Sequence, residues 1–201
     1  MLGFFIFKGY QMKKLIVLTL SLFILSGCGI QSIPTQLNQV EADWAEVMNQ
    51  YKRRTDLIPN LVNTVKGYAK HESETLESVI AARAKATSIN IDPKNLNPET
   101  LKQFQAAQGQ LSQALGKLMV VSERYPDLKA SQNFQGLQSQ LEGTENRITV
   151  ARNRYIESVK QFNNLVTVFP TSIVNSMMFH HDKKPQFTVE EAETKNPEVS
   201  F

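Results

Sequence analysis

Between Ser131 and Phe169 a run of residues follows at steps of three or four: Phe134, Leu137, Leu141, Thr144, Ile148, Ala151, Tyr155, Val159, Phe162, Val166 and Phe169. Steps of that size keep every side chain on one stripe of a helix, and a stripe this regular is a heptad seam buried against partner helices. About 39 residues at a rise of ~1.5 Å each predict a helix of roughly 58 Å, far longer than the usual helix of a globular domain. No strand-like alternation competes with it elsewhere in the chain. The seam therefore restricts the fold to the all-α class.

The same periodicity marks the partners. Leu37, Val40, Trp44, Val47 and Tyr51 define a first helix, and the phase continues through Arg54, Ile58, Leu61, Val65 and Tyr68. Asp56 stands where an N-cap would, with Pro59 in the following turn. Proline inside a helix costs about 3 kcal/mol, so a break near Asp56 is expected, with one kinked helix as the alternative. The second helix then runs through Leu76 and Val79 to about Ser88. The loop from Asn90 to Pro98 is rich in turn residues, and Asn97 followed by Pro98 signals the start of a third helix. Leu101, Phe104, Leu111, Leu115, Leu118 and Tyr125 form its stripe, and Pro126 stops it. The long seam helix follows and ends at Pro170. Short connections make neighbouring helices antiparallel, so the expected fold is an up-and-down four-helix bundle of long helices. The run Ile173, Val174, Met177, Met178 and Phe179 is expected to close one end of it, with an exposed patch against membrane or protein as the alternative. From His180 the chain is polar and interrupted by Pro185 and Pro197, which predicts a disordered tail over 180–201.

The N-terminus carries an address. Lys13 and Lys14 precede an apolar run from Leu15 to Leu25 of about 11 residues, the layout of a signal peptide and short for a membrane span. It ends Leu25-Ser26-Gly27-Cys28, which resembles the lipobox of bacterial lipoproteins and makes Cys28 the lipidation site. An uncleaved single-pass segment is the alternative. Met12 gives a shorter and more usual n-region than Met1, so residues 1–11 are expected to lie outside the translated protein. Residues 1–28 then form the signal, 29–34 a tether, and 35–179 the bundle. A lipid-anchored chain faces the extracytoplasmic side of the envelope. Gly29 rather than aspartate after the cysteine points to the outer membrane if the envelope is Gram-negative.

Charge narrows the function. Removing residues 1–28 takes Lys8, Lys13 and Lys14 from the 22 basic residues and none of the 19 acidic ones, so the mature chain is neutral at 19 against 19. A nucleic-acid binder needs a basic face, and none is expected here. One cysteine excludes disulfides, structural zinc and CxxC redox chemistry. His71-Glu72 opens like a zinc-protease motif, but Thr75 stands where the second histidine would be. His180-His181-Asp182 lacks further ligands nearby. There is no GxSxG, no phosphate loop and no Cys–His pair. The expectation is a protein that is not an enzyme and uses no cofactor or metal.

Two blocks carry a resemblance. Arg54-Thr55-Asp56-Leu57-Ile58-Pro59-Asn60-Leu61-Val62 continues through Val65-Lys66-Gly67-Tyr68-Ala69 to His71-Glu72. The other runs from Tyr125-Pro126-Asp127-Leu128-Lys129-Ala130 through Asn133-Phe134 to Glu145-Asn146-Arg147-Ile148 and Ala151-Arg152. Both are similar to the signature of the LemA family, with departures at Thr55, where histidine is frequent, and Ile156, where asparagine is. The resemblance implies a membrane-associated all-α bundle without an established catalytic activity. Many of its members carry an N-terminal transmembrane helix, whereas this chain carries a lipobox. It makes Arg54, Asp56, Asn60, Lys66, Tyr68, His71, Glu72, Tyr125, Asp127, Lys129, Asn133, Glu145, Arg147 and Arg152 candidates for an interaction surface. The expected role is a scaffold or adaptor for an envelope protein. A ligand carrier or envelope enzyme using a bundle cavity, with polar residues such as Asp56, Glu72 and Arg147 converging there, is the rival, and cell-wall binding a weaker third.

Overall fold

The structure is a computed structural model that describes residues 30–89, 91–93 and 96–187, and for 2–29 the helical backbone alone. The side chains of the signal segment, Cys28 among them, and the tail beyond 187 lie outside the described residues. Among the described residues six α-helices succeed one another: α1 (Leu2–Tyr68), α2 (Ser73–Ser88), α3 (Pro98–Ser122), α4 (Pro126–Ala130), α5 (Gln132–Thr167) and α6 (Thr171–Val174), with a π-helical turn at Asn175–Phe179. No strand occurs among the described residues. The chain divides into two compact units, residues 40–159 with 184–201 and residues 1–39 with 160–183.

In the larger unit the seams do what their spacing predicts. Ile58, Leu61 and Val65 of α1, Leu76 and Val79 of α2, Leu111 and Leu118 of α3, Leu128 of α4, and Phe134 and Leu141 of α5 form one buried core. Further along, Trp44, Tyr51, Phe104 and Tyr155 make an aromatic cluster with ring centroids 4.9–5.8 Å apart. The third helix starts where Asn97 and Pro98 signal it. The Asn97 Oδ1 accepts from the Thr100 N–H at 2.9 Å and the Thr100 hydroxyl accepts from the Asn97 N–H at 3.2 Å, a reciprocal cap over a proline in the first turn.

Four expectations are corrected. First, there is no break near Asp56: α1 runs through Pro59 and ends at Tyr68, with the turn at Ala69–Glu72 instead. A proline at 59 cannot donate to the carbonyl of residue 55, and its ring crowds that same carbonyl. Here the Arg83 Nε–H of α2 donates to the Thr55 carbonyl at 2.9 Å. The acceptor that proline orphans is satisfied from a neighbouring helix, so the helix continues. Second, residues 30–34, expected as a tether, are helical, because Ile33 is fully buried and supplies packing that the Gly/Ser/Pro composition hides. Third, residues 184–187 are not a loose tail: Phe187 is buried, its ring 6.0 Å from Trp44 and 5.5 Å from Tyr155, and the Tyr155 hydroxyl donates to the Pro185 carbonyl at 3.0 Å.

The fourth correction falls in the smaller unit. Phe162, Val166 and Asn175 are buried there, but Val168, Phe169, Ile173, Met177 and Met178 are exposed rather than closing a bundle end. The reason lies in Asn175. Its side-chain amide donates to the carbonyls of Val166 and His181, and its Oδ1 accepts from the His181 N–H. The His180 N–H donates to the Asn175 carbonyl at 2.7 Å, with His180 in the left-handed region at φ 54°. The turn is tied through a polar side chain, and the apolar ones are left outside.

Candidate functional site

Arg54 falls at a seam position of α1, between Tyr51 and Ile58, so the helix aims a guanidinium at the core. Its side chain is 3% exposed. A buried charge is tolerated only when paired and hydrogen-bonded, and two neighbouring helices, α3 and α5, supply the partners here. Nη1 donates to the Ser112 hydroxyl and to Glu145 Oε2, both at 3.0 Å, while Nη2 donates to the backbone and side-chain oxygens of Gln108. The guanidinium carbon also lies 5.1 Å from the Tyr51 ring centre. Arg54 thus ties α1 to α3 and α5 at one point.

The tie borders a cleft of about 610 Å³, lined by Tyr51 and Arg54 from α1, by Gln105, Gln108, Gly109, Gln110, Ser112 and Gln113 among others from α3, and by Glu145 and Arg152 from α5. Burial pushes the Tyr51 phenol up, partly opposed by the nearby Arg152 and Arg54 and reinforced by Glu145. Arg152 sits 4.7 Å over the Phe187 ring. The α3 wall offers carboxamides and a hydroxyl, groups that donate and accept at once. Such a surface suits recognition of uncharged polar groups. Its one carboxylate, Glu145, is engaged by Arg54.

A second cluster gathers at the turn after α1. Glu72, with a side chain 15% exposed, accepts from the Tyr125 hydroxyl at 2.9 Å and from Arg124 Nη2 at 3.1 and 3.2 Å. The hydrogen bond to Glu72 raises the Tyr125 phenol, with burial and the carboxylate charge adding to it. Asn60 and Asn133 line a shallow groove of about 470 Å³ between α1 and α5.

The fourteen candidates therefore separate. Arg54, Glu145 and Arg152 meet in the cleft, Glu72 meets Tyr125, and Asn60 shares a groove with Asn133. Asp56 is exposed and pairs with Lys52 at 3.2 Å, and Lys129 pairs with Glu123. Lys66, Tyr68, His71, Asp127 and Arg147 are exposed on the surface. Asp56, Glu72 and Arg147, the trio expected to converge if a cavity carried chemistry, have separate surroundings. Among the described residues no group of three His, Cys, Asp or Glu is arranged to hold a metal ion. Within the same limits no helix is long and apolar enough to cross a membrane.

Sequence reasoning missed Gln108, Ser112 and Arg124. Gln108 had a visible signal: it stands midway between Phe104 and Leu111 on the α3 stripe, a polar residue at a core position facing a helix with an arginine in its own seam. The other two lie on helix faces or ends that periodicity does not single out.

The two sequence blocks thus meet in space, one supplying Arg54, Asn60 and Glu72 and the other Glu145, Asn133 and Tyr125. The sequence pattern of the LemA family matches residues 43–201, a span that takes in both blocks. A relative from Metamycoplasma hominis, described as Protein LemA, is 24% identical over 188 residues, which cover 90% of this chain and 82% of the relative. With the family pattern matched over most of its length, the chain belongs to the LemA family.

Proposed function

We propose that this protein is an envelope lipoprotein, attached to the membrane through Cys28, that acts as a non-enzymatic scaffold or adaptor for another envelope protein. Its long helices α1, α2, α3 and α5 would form an up-and-down bundle facing the extracytoplasmic side, and the cleft around Arg54 would be its recognition surface. One observation carries the reading. The carboxylates of the signature blocks that acid–base chemistry would draw on are engaged as structural partners: Glu145 by Arg54, Glu72 by Arg124, Asp56 by Lys52. What remains open toward solvent is an amide-lined cleft suited to binding. The size of that cleft also favours a second reading, a carrier for a small polar ligand.

The test is a cross-linking pull-down from membranes with wild type, Cys28→Ala and Gly109→Phe. Gly109 lines the cleft, and a Cβ there would meet nothing within 4 Å, so the phenylalanine fills the cleft without disturbing the core. An envelope protein recovered with wild type and lost with Gly109→Phe is the expected result. Recovery with both rejects the cleft as the recognition surface. Recovery with neither shifts the reading to the small ligand. The anchor is read separately, by whether the intact mass of wild type carries acyl chains that Cys28→Ala lacks.

A further inference from the structure

Around the turn that follows α5, the smaller unit inverts the usual sorting of side chains. Asn175 is buried, while Phe169 and Met177 are each 75% exposed, Met178 59%, Val168 55% and Ile173 49%. Buried polar and exposed apolar groups in one turn are the informative departure from the general rule. Five large apolar side chains crowd an eleven-residue stretch, Val168 to Met178, that hydrogen bonds through Asn175 hold in shape. The surroundings are as unusual. Across residues 30–39 and 160–183 only Lys160, Asp182 and Lys183 are charged, in a chain that is 20% charged overall. The remaining polar residues are Ser, Thr, Asn, Gln and His, which a lipid headgroup region accommodates at little cost.

We propose that the Val168–Met178 face docks on the lipid bilayer itself, inserting its apolar side chains at the headgroup–acyl boundary. The occupant follows from position. This proposal rests on the lipidation of Cys28 put forward above. Cys28 lies only five residues before Ile33, which is fully buried and belongs to the same unit as the patch. Five residues span ~7.5 Å as helix and at most ~18 Å when extended. A unit tethered that closely to acyl chains has the bilayer as its nearest apolar phase. Interfacial segments bury their apolar face about 5–10 Å into that boundary, within reach of such a tether. An unpaired surface of two methionines and a phenylalanine, with few charges around it to hold back, matches that environment.

The experiment places an environment-sensitive fluorophore on Phe169→Cys, on Met177→Cys and, as a control, on Val120→Cys, which is 70% exposed in the larger unit. Full-length chains are reconstituted in vesicles of phosphatidylethanolamine with a minor share of phosphatidylglycerol. Each label is made in two backgrounds. With Cys28 present, acylation consumes the only native thiol. With Cys28→Ala, the retained apolar leader keeps the chain at the bilayer and the new thiol stands alone. Labels at 169 and 177 should be blue-shifted and quenched several-fold more by nitroxide-bearing lipids than by aqueous iodide, with the reverse at 120. Iodide quenching at 169 and 177 equal to that at 120 overturns the proposal. So does a blue-shifted label that neither quencher reaches, since a protein would then cover the patch. An intact mass without acyl chains would remove the lipidation reading alone, because the Cys28→Ala series still reports on the patch.

Discussion

Replacing Arg83 with methionine keeps most of the side chain's volume and removes the Nε–H that donates to the Thr55 carbonyl. Thr55 is 4% exposed, so water is poorly placed to substitute. A hydrogen bond from a charged donor contributes about 1.5–3 kcal/mol, and a buried acceptor left unsatisfied costs about 1–3 kcal/mol. Because Arg83 is only half-buried, a loss of about 1.5–2 kcal/mol is expected, at the lower end of that range. Pro59 offers a sharper test. In a Pro59→Ala chain, residue 59 regains its N–H and bonds the Thr55 carbonyl within the helix, so the same Arg83→Met change should cost no more than about 0.5 kcal/mol. The double-mutant cycle should therefore show a coupling of about 1–1.5 kcal/mol between two residues 24 apart in sequence. Urea unfolding of the detergent-solubilised chain, followed by fluorescence of the single, buried Trp44, reads the larger unit in which all these residues lie. Additivity of the two substitutions within about 0.3 kcal/mol would refute the idea that Arg83 is what allows α1 to pass through its proline.

Removing the Phe187 ring should cost about 3 kcal/mol and shift the Trp44 emission to the red, although the residue sits in a polar segment; a cost below about 0.5 kcal/mol would restore the tail reading. Arg54→Met should destabilise by about 3 kcal/mol, whereas Glu145→Gln, whose side chain is 55% exposed, should cost less than about 1 kcal/mol in the same urea assay. Equal costs would mean that the ion pair, rather than the bonds to α3, holds Arg54. The phenols of Tyr51, Tyr125 and Tyr155 are all raised above 10.0 in the folded chain, Tyr51 and Tyr155 chiefly by burial and Tyr125 chiefly by its bond to Glu72. Folding thus favours the neutral phenol. The contribution is complete below about pH 10 and is lost as pH rises through the folded values, so unfolding midpoints should fall on the alkaline side. Tyr155→Phe should make that fall shallower, and an unchanged slope would count against burial as its cause.

The α5 seam shows how much a periodic pattern can reveal. From Phe134 to Val166 the positions it selects are buried, apart from the half-buried Leu137, because a period of three to four leaves a helix only one face to hide. The pattern fails at its last member, Phe169, where α5 has already ended at Thr167 and the apolar ring has no partner face. The misplaced boundary of α1 has a different origin. Pro59 is a correct local signal for a break, outvoted by a donor on another helix that no local rule can see. Phe187 was invisible for a related reason, a lone aromatic in a polar stretch with no period to mark it. In the site, Arg54, Glu145 and Arg152 were legible as charges interrupting or flanking seams. Their convergence was not, since it depends on Gln108 and Ser112 turning the same way on α3.

The bond between Arg83 and the Thr55 carbonyl does one thing more. The apolar faces of α1 and α2 meet through aliphatic side chains, and surfaces of that kind are nearly as content one helical turn, ~5.4 Å, to either side. A carbonyl laid bare at a single residue by proline has no counterpart a turn away. Arg83 can find it at one setting only, so the pair works as a detent against slippage, choosing among alignments that greasy contacts alone would leave almost equal in energy.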